Sequence, residues 1–362
     1  MRRFLPLLAV CLTVLTLAAA PARAWSNKEH IQLTRLAVSR LLANPDTPPA
    51  MKEWLKKAAP GLLDLAGEKD YFMNARVGLA PRGADGMMFW AMMPDFVALT
   101  DREDRKVEPW GVHERLLHYI DLEFFMPDDK QRTYADDLSH KPKAADVPRD
   151  AKDPRYVRAG MLPFRVEESY QRLVKAIRAG RLVDAPGQFP RDEHATKWAG
   201  YLAHYLADNT QPQHATIDYK SETYFKGVRR PPNVHADIEY RFIDEDAEDY
   251  TAVRAELCEL FFKKLDEVKD PVETTDLWQA TLEVALTSYD ALPLIGKAAA
   301  AAYKAEDGTI GPVKADVFMR TKGQYRGREM SVAEMKAEQT AWAVKRIERV
   351  LRQAWDEGTK KE

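Results

Sequence analysis

HYLADNTQPQH at residues 204–214 and HADIE at residues 235–239 are the two segments from which the fold and function of this chain can be predicted. In each segment a histidine precedes a carboxylate by four positions, His204 with Asp208 and His235 with Glu239. On a helix this spacing places both side chains on one face, one turn apart. The pattern predicts a helix at each segment, with two groups of imidazole and carboxylate ligands.

A metal site explains this stretch better than ordinary packing does. A single His–acid pair is more often a surface ion pair or a core histidine than a metal site. Here His214 follows Pro212, where a helix must end or kink, and adds a third imidazole within 36 residues of a chain with eight His. Nitrogen and oxygen ligands without a thiolate are typical of zinc in a hydrolytic site. A di-iron bundle would need Glu-x-x-His on its helices, and the sequence contains none.

The N-terminal segment has the features of a secretory signal peptide. Arg2 and Arg3 precede a mostly apolar run, and Ala22-Arg23-Ala24 fits a small-x-small cleavage site. We therefore expect residues 1–24 to be removed and the protein to be exported, to the periplasm or beyond the cell. Cleavage would expose the α-amine of Trp25, which has a pKa near ~8 and could bind a metal at neutral pH.

Together these residues resemble the superfamily of zinc-dependent phospholipases C and fungal-type single-strand-specific nucleases. Members of that superfamily begin with a processed Trp and bind three zinc ions in an all-helical domain. The resemblance runs from Trp25 to about residue 250, and the remainder agrees only in being helical. It implies nine metal ligands, in this order: Trp25, His30, Asp95, His118, His204, Asp208, His214, His235 and Glu239.

The resemblance also implies how the ligands divide among three zinc ions. The first ion takes Asp95, His118, His204 and Asp208; the second takes Trp25, His30 and a bridging Asp208; the third takes His214, His235 and Glu239. A phosphodiester is an anion that resists an anionic nucleophile, and zinc lowers the pKa of a bound water toward ~7. Asp95 is the expected catalytic residue, which would orient this water or accept its proton.

Two of these ligands have competitors in the sequence. Asp95 follows Pro94 and could be a turn residue, with Asp85 and Asp101 as the alternative ligands. His118 competes with His113, and we favour His118 because its neighbours are apolar, which suits a buried ligand. Asp121 could accept a hydrogen bond that fixes a histidine tautomer, or could be a surface acid on a helix.

Hydrophobic periodicity predicts a series of helices and so an all-α fold. The resemblance implies that they form one multi-helix domain over residues 25–362 around a trinuclear zinc cleft. Predicted helices cover residues 28–43, 164–180, 191–211, 250–268, 272–289, 292–305 and 331–357, with one or two short helices in 50–66. Predicted loops cover residues 67–85, 127–160, 216–233 and 306–330. Removal of the signal peptide would leave one cysteine, Cys258, so no internal disulfide is expected.

The substrate class stays open between phospholipid and single-stranded nucleic acid. Glu239 as the last ligand looks more like bacterial phospholipase C, which we favour, whereas LHYID around His118 looks more like the nucleases and 3′-nucleotidases. A zinc-binding envelope protein without turnover is the third hypothesis. Tyr119, Arg229 and Arg230 are candidate contacts to an anionic substrate, although the loop that carries the arginines could also be incidentally charged.

Composition limits the possible partners. The formal net charge is −2, and basic residues are interspersed with acidic ones, so no nucleic-acid-binding stripe is evident. No apolar run after the signal peptide is long enough to span a membrane. We expect transient contact with a membrane surface at most, and no obligate protein partner.

Overall fold

The computed structural model describes residues 27–74, 85–100, 106–126, 138, 141–184, 193–241, 248–304 and 309–360. Helix accounts for 64% of the structure, and one two-stranded hairpin is the only sheet within those ranges, so the predicted all-α class is confirmed. None of the helices described there is long and apolar enough to cross a membrane. The expected signal peptide and Trp25 lie outside the described residues.

Helices of six or more residues are labelled α1 to α11 in chain order. They are α1 Asn27–Ala43, α2 Pro49–Ala58, α3 Leu65–Asn74, α4 Met87–Thr100, α5 Leu162–Arg178, α6 Ala195–Asp208, α7 Glu248–Glu267, α8 Leu277–Tyr289, α9 Leu292–Ala302, α10 Ala315–Arg320 and α11 Val332–Gly358. The hairpin pairs β1, Lys322–Tyr325, antiparallel with β2, Arg328–Ser331. Shorter helical segments are Glu114–Leu117, Leu122–Phe125, Ala144–Asp146, Tyr156–Ala159, Pro212–Ala215, Glu222–Phe225, Val234–Ala236 and a π-helix at Asp237–Arg241.

Most predicted helices are confirmed, with small shifts at their ends. The helix predicted from residue 272 begins at Leu277, because the Asp276 side chain caps it by accepting from the Gln279 N–H at 3.1 Å. The prediction of a loop over residues 67–85 is wrong for residues 67–74. These residues belong to α3, where the Asp64 carboxylate accepts from the Gly67 N–H at 2.8 Å.

The loop predicted at residues 306–330 instead contains α10 and most of the hairpin. The turn residues Arg326 and Gly327 have φ of 52° and 72°, which is the backbone twist that tight hairpins favour. An arginine in the left-handed region is uncommon, so the sequence carries no strong turn signal at this position.

Helix α11 forms the centre of the core. The Ser331 hydroxyl accepts from the Glu334 N–H while the Glu334 carboxylate accepts from the Ser331 N–H, and together these bonds form a capping box. The apolar face of the helix packs against α1, α5, α6 and α7. That face consists of the residues Ala343, Ile347, Val350, Leu351 and Ala354, all fully buried.

Helices α4 and α6 approach each other unusually closely at Gly200. A Cβ atom at this position would lie 2.5 Å from Cβ of Trp90 and 2.7 Å from the carbonyl oxygen of Met87, closer than packed atoms come. The absence of a side chain therefore allows the two backbones to pack together. This contact matters for the site, because α4 carries Asp95 and α6 carries His204.

Candidate metal centre

The site is built on α6, whose regular geometry brings His204 and Asp208 together. His204 Nε2 lies 3.2 Å from Asp208 Oδ2, as the four-residue spacing predicts. The Nδ1 atom of His204 lies 2.7 Å from the carbonyl oxygen of Ala91 on α4. Because a carbonyl can only accept, Nδ1 must carry the proton, and the neutral imidazole presents a lone pair on Nε2.

The Asp208 carboxylate contacts the imidazoles of His30, His118 and His204. We call these four residues and Asp95 the first group. His30, in the first turns of α1, places Nε2 3.2 Å from Asp208 Oδ1. His118, which follows the short helix Glu114–Leu117, places Nδ1 3.0 Å from Asp208 Oδ2. Each carboxylate oxygen thus faces a different side of the group, an arrangement suited to bridging two cations.

Asp95 completes the first group. Its Oδ1 lies 3.7 Å from His118 Nδ1 and 3.8 Å from His204 Nε2, and the residue is buried. The residue lies inside α4, one position after Pro94, so the alternative that it occupies a turn is wrong. Of the competing acids, Asp85 is exposed and Asp101 lies outside the described residues.

His214, His235 and Glu239 form the second group. Glu239 Oε1 lies 3.3 Å from His214 Nε2 and 2.7 Å from His235 Nε2. The helix predicted for the HADIE segment is in fact a three-residue α-turn followed by the π-helix. The four-residue spacing still places His235 and Glu239 side by side, because one π-turn is only slightly wider than an α-turn.

Backbone contacts hold the two groups next to each other. His214 Nδ1 donates to the carbonyl oxygen of His118 at 2.7 Å, and the Ile120 N–H donates to the carbonyl oxygen of His214 at 2.9 Å. The first of these bonds also fixes the His214 tautomer, so that Nε2 faces Glu239. A ligand of the second group is therefore anchored to the segment that carries a ligand of the first.

The alternatives left open around His118 are resolved. His113 does not join either group; its Nδ1 instead accepts from the Arg115 N–H at 3.2 Å and caps the short helix. Asp121 is buried rather than a surface acid, and it precedes the short helix Leu122–Phe125. The acceptors that fix the tautomers of His204 and His214 are main-chain carbonyls.

The candidate substrate contacts differ in exposure. Tyr119 is partly buried, and burial raises the pKa of its hydroxyl to about 12, so it is a neutral hydrogen-bonding group at ordinary pH. Arg229 and Arg230 are exposed on the segment that joins the two ligand stretches of the second group. Contact of these residues with a substrate stays a prediction.

Burial and neighbouring charges shift the pKa values of the residues in the first group. Burial would raise the pKa of the Asp208 carboxyl, but the neighbouring imidazoles of His204 and His30 hold it well below its ordinary value. Burial raises the pKa of Asp95, against the opposing effect of His204 and His118. Burial lowers the pKa of His204. Burial would also lower the pKa of His118, but the hydrogen bond and charge of Asp208, together with the other nearby carboxylates, raise it.

In the second group the Glu239 carboxylate stabilises imidazolium. Burial would lower the pKa of His214, but the hydrogen bond to Glu239 and the charge of Asp208 raise it to about 9. Burial would raise the pKa of Glu239, and the histidines His235 and His214 more than offset this, so the carboxyl stays ionised. These carboxylates are thus ready to ligate a cation that would displace the protons of the imidazoles.

Both groups fit a metal ion. The eight ligands in them are at most 6% exposed, and the ligand atoms of each combination lie within 4.8 Å of one another. Buried atoms Asp95 Oδ2, His118 Nε2, Asp208 Oδ1 and Glu239 Oε2 have no hydrogen-bond partner in the described part of the chain. Unpartnered buried polar atoms are uncommon and destabilising, and a bound cation would compensate for the carboxylate oxygens.

One contact of the second group was not predicted from the sequence. The Gln211 side chain donates from Nε2 to Glu239 Oε1 at 2.9 Å and accepts from the Gln213 N–H at 2.5 Å. Gln211 lies between Asp208 and His214, and this position inside the ligand stretch was the only available signal. Its role is to orient a carboxylate that two imidazoles share.

The order of the ligands along the chain is the basis of the resemblance to zinc-dependent phospholipases C and nucleases. Eight of the nine implied ligands converge in the two groups, and Trp25 lies outside the described residues. Comparisons of the whole chain with protein-family models, with curated proteins and with solved structures find no match.

Proposed function

We propose that the protein is a zinc-dependent hydrolase of phosphoric esters that binds up to three zinc ions. The observation that supports this most strongly is the convergence of His30, Asp95, His118, His204 and Asp208 in one buried group. These residues come from four separated segments, and buried charge is retained only when it is compensated. Nitrogen and oxygen ligands of this kind are typical of zinc in hydrolytic sites.

The geometry supports two ions in the first group and one in the second. Asp208 directs one oxygen toward His30 and the other toward His118 and His204, which suits a carboxylate shared by two ions. In the second group His214, His235 and Glu239 supply three ligands, enough for one further ion. The α-amine of Trp25 would complete the coordination of the ion at His30, as the resemblance implies.

The residues themselves account for acid–base chemistry at the first group. Bound zinc would supply Lewis-acid polarisation of the phosphoryl oxygens and a nucleophile at neutral pH. Asp95 contributes a buried carboxyl that would orient the attacking water or accept its proton. His204 is held by Ala91 in the tautomer that directs a lone pair into the group.

A phospholipid is the substrate class we favour, with single-stranded nucleic acid or a 3′-nucleotide as the alternative. The preference rests on Glu239 as the final ligand, where the resemblance is to bacterial phospholipases C. Arg229 and Arg230 are exposed and free to approach an anionic headgroup or a nucleic-acid phosphate alike. The test must therefore compare both substrates directly.

The decisive experiment assays the purified, zinc-loaded protein in parallel on phosphatidylcholine vesicles and on single-stranded DNA. Release of phosphocholine alone supports a phospholipase C, and cleavage of the nucleic acid alone supports a nuclease. The Asp208→Ala variant is the matched negative control, since it removes the carboxylate common to three imidazoles. Zinc binding without turnover on either substrate would identify a non-catalytic zinc protein and overturn the proposal.

A further inference from the structure

A buried ion pair connects the two segments that carry His30 and Glu239. Lys336, on α11, is 1% exposed, and its Nζ lies 2.9 Å from Oε1 of Glu29, the residue immediately before His30. The same ammonium donates to the carbonyl oxygen of Ile238 and lies 3.5 Å from the carbonyl oxygen of Glu239. One cation thus contacts the chain next to a ligand of each group.

The chemistry of an ammonium suits this position. Lys336 has three N–H donors, and the oxygens of Glu29, Ile238 and Glu239 surround it. Ile238 and Glu239 are the second and third residues of the five-residue π-helix, and their carbonyl oxygens face the ammonium. A buried lysine is tolerated only when it is paired, so the contacts with these oxygens account for the ammonium at this position.

Lys336 lies in the first turns of α11, where a capping box holds the backbone. Lys336 lies two positions after Glu334, whose carboxylate closes the capping box with Ser331 and so fixes the start of α11. The apolar face of the remainder of α11 is buried in the core. Movement of the π-helix relative to α1 would therefore have to break bonds to a fixed ammonium.

We propose that Lys336 is a positioning residue for the metal centre, and that with Glu29 it sets the separation between His30 and Glu239. The inference rests on the proposed function, because it requires metal ions at both groups. Metal–ligand distances tolerate only about 0.2 Å of error. Lys336 contacts the backbone of Glu239 and the side chain of Glu29, the neighbour of His30. By holding these two segments together, it therefore contributes directly to metal affinity.

The test compares Lys336→Met with a matched variant on the same helix. Lys336→Met keeps most of the length of the side chain and removes its charge. The control is Glu68→Gln, which removes a buried carboxylate whose partner, Arg35 of α1, lies 2.6 Å away, without touching either ligand group. Zinc affinity is measured by competition with a chromogenic chelator, and Tm is measured with and without zinc.

We expect Lys336→Met to weaken zinc binding about tenfold, the loss typical of partners that orient a metal ligand. The increase in Tm that zinc produces should shrink in this variant. In Glu68→Gln both Tm values should fall by the same amount, and zinc affinity should stay at the wild-type level. The different results for the two variants would separate positioning of the ligands from a general contribution to stability.

Wild-type zinc affinity in a folded Lys336→Met protein would overturn the inference while leaving the proposed function intact. Where Lys336→Met does not fold, Glu29→Gln decides by the same criterion, since it removes the carboxylate beside His30 but keeps the lysine. If the wild-type protein itself binds no zinc, the metal centre fails and the positioning role of Lys336 fails with it.

Discussion

Asp208 shows how much a single side chain contributes to this site. Its two oxygens lie within 3.2 Å of nitrogen atoms from His30, His118 and His204, and the residue is fully buried. Those imidazoles keep its carboxyl ionised despite burial. Without this carboxylate the three rings would lose the negative charge that holds them together.

Replacing Asp208 by alanine should therefore remove more zinc than any other single ligand substitution. We expect zinc content to fall by close to two ions per chain, because the carboxylate is placed to serve both ions of the first group. Elemental analysis of dialysed protein measures this directly. Asp356→Ala, which removes an exposed carboxylate outside both groups, should keep the full zinc content. A loss of zinc no larger than that of the control would contradict the bridging role.

His214 gives the metal-free protein a predictable dependence on pH. Its pKa is raised to about 9 in the folded state, against about 6.5 in an unfolded chain. The stabilising contribution is thus complete below pH ~6.5 and is lost as pH rises through about 9. The free energy of unfolding should fall over this window by up to about 3 kcal/mol, at ~1.4 kcal/mol per pKa unit.

Urea unfolding in the presence of a chelator, at several pH values between 6 and 9.5, measures this slope. The variant His214→Gln keeps a polar side chain but cannot titrate, so its stability should change less over the same window. Equal slopes in the two proteins would show that His214 is not the responsible group.

At the level of secondary structure, the contact between α4 and α6 determines whether Asp95 reaches the first group. Gly200→Ala would place a methyl group 2.5 Å from Trp90 Cβ and force the helices apart. We expect a loss of about 1–3 kcal/mol in stability, as in other overpacked cores, together with weaker zinc binding.

Gly358→Ala provides the control for this prediction. Its added methyl group would lie 2.7 Å from Cγ2 of Ile177, at a contact between α11 and α5 that holds no ligand. That variant should lose stability and keep its zinc affinity, as chelator competition and thermal unfolding would show. If Gly200→Ala also kept its zinc affinity, the α4–α6 contact would not control the site.

The sequence predicted those parts of the site that depend on local spacing. His204 with Asp208 and His235 with Glu239 could be paired because one helical turn separates them, and this held even where the helix is a π-helix. The contacts of Lys336 depend on tertiary packing, so no spacing in the sequence could reveal them. The hairpin was missed for a local reason, since Arg326 adopts a conformation that arginine seldom takes.

For the molecule as a whole, metal binding should stabilise the fold. The ligands belong to α1, α4, α6 and the segments around His118, His214 and Glu239, so bound ions would tie together parts that are distant in sequence. Zinc at 100 times its Kd would add about 2.7 kcal/mol. Thermal unfolding with zinc or with a chelator measures the difference, and identical Tm values would contradict metal binding to the folded state.

The wide separation of the ligands along the chain also has a consequence for the order of folding events. The first group needs residues 30, 95, 118, 204 and 208 together, so it exists only after most long-range contacts have formed. Long-range contacts form late because loop closure must precede them. A metal ion at the first group would therefore bind late in folding and would not nucleate it. Zinc present from the start of refolding should slow unfolding without accelerating refolding, a difference that stopped-flow fluorescence would resolve.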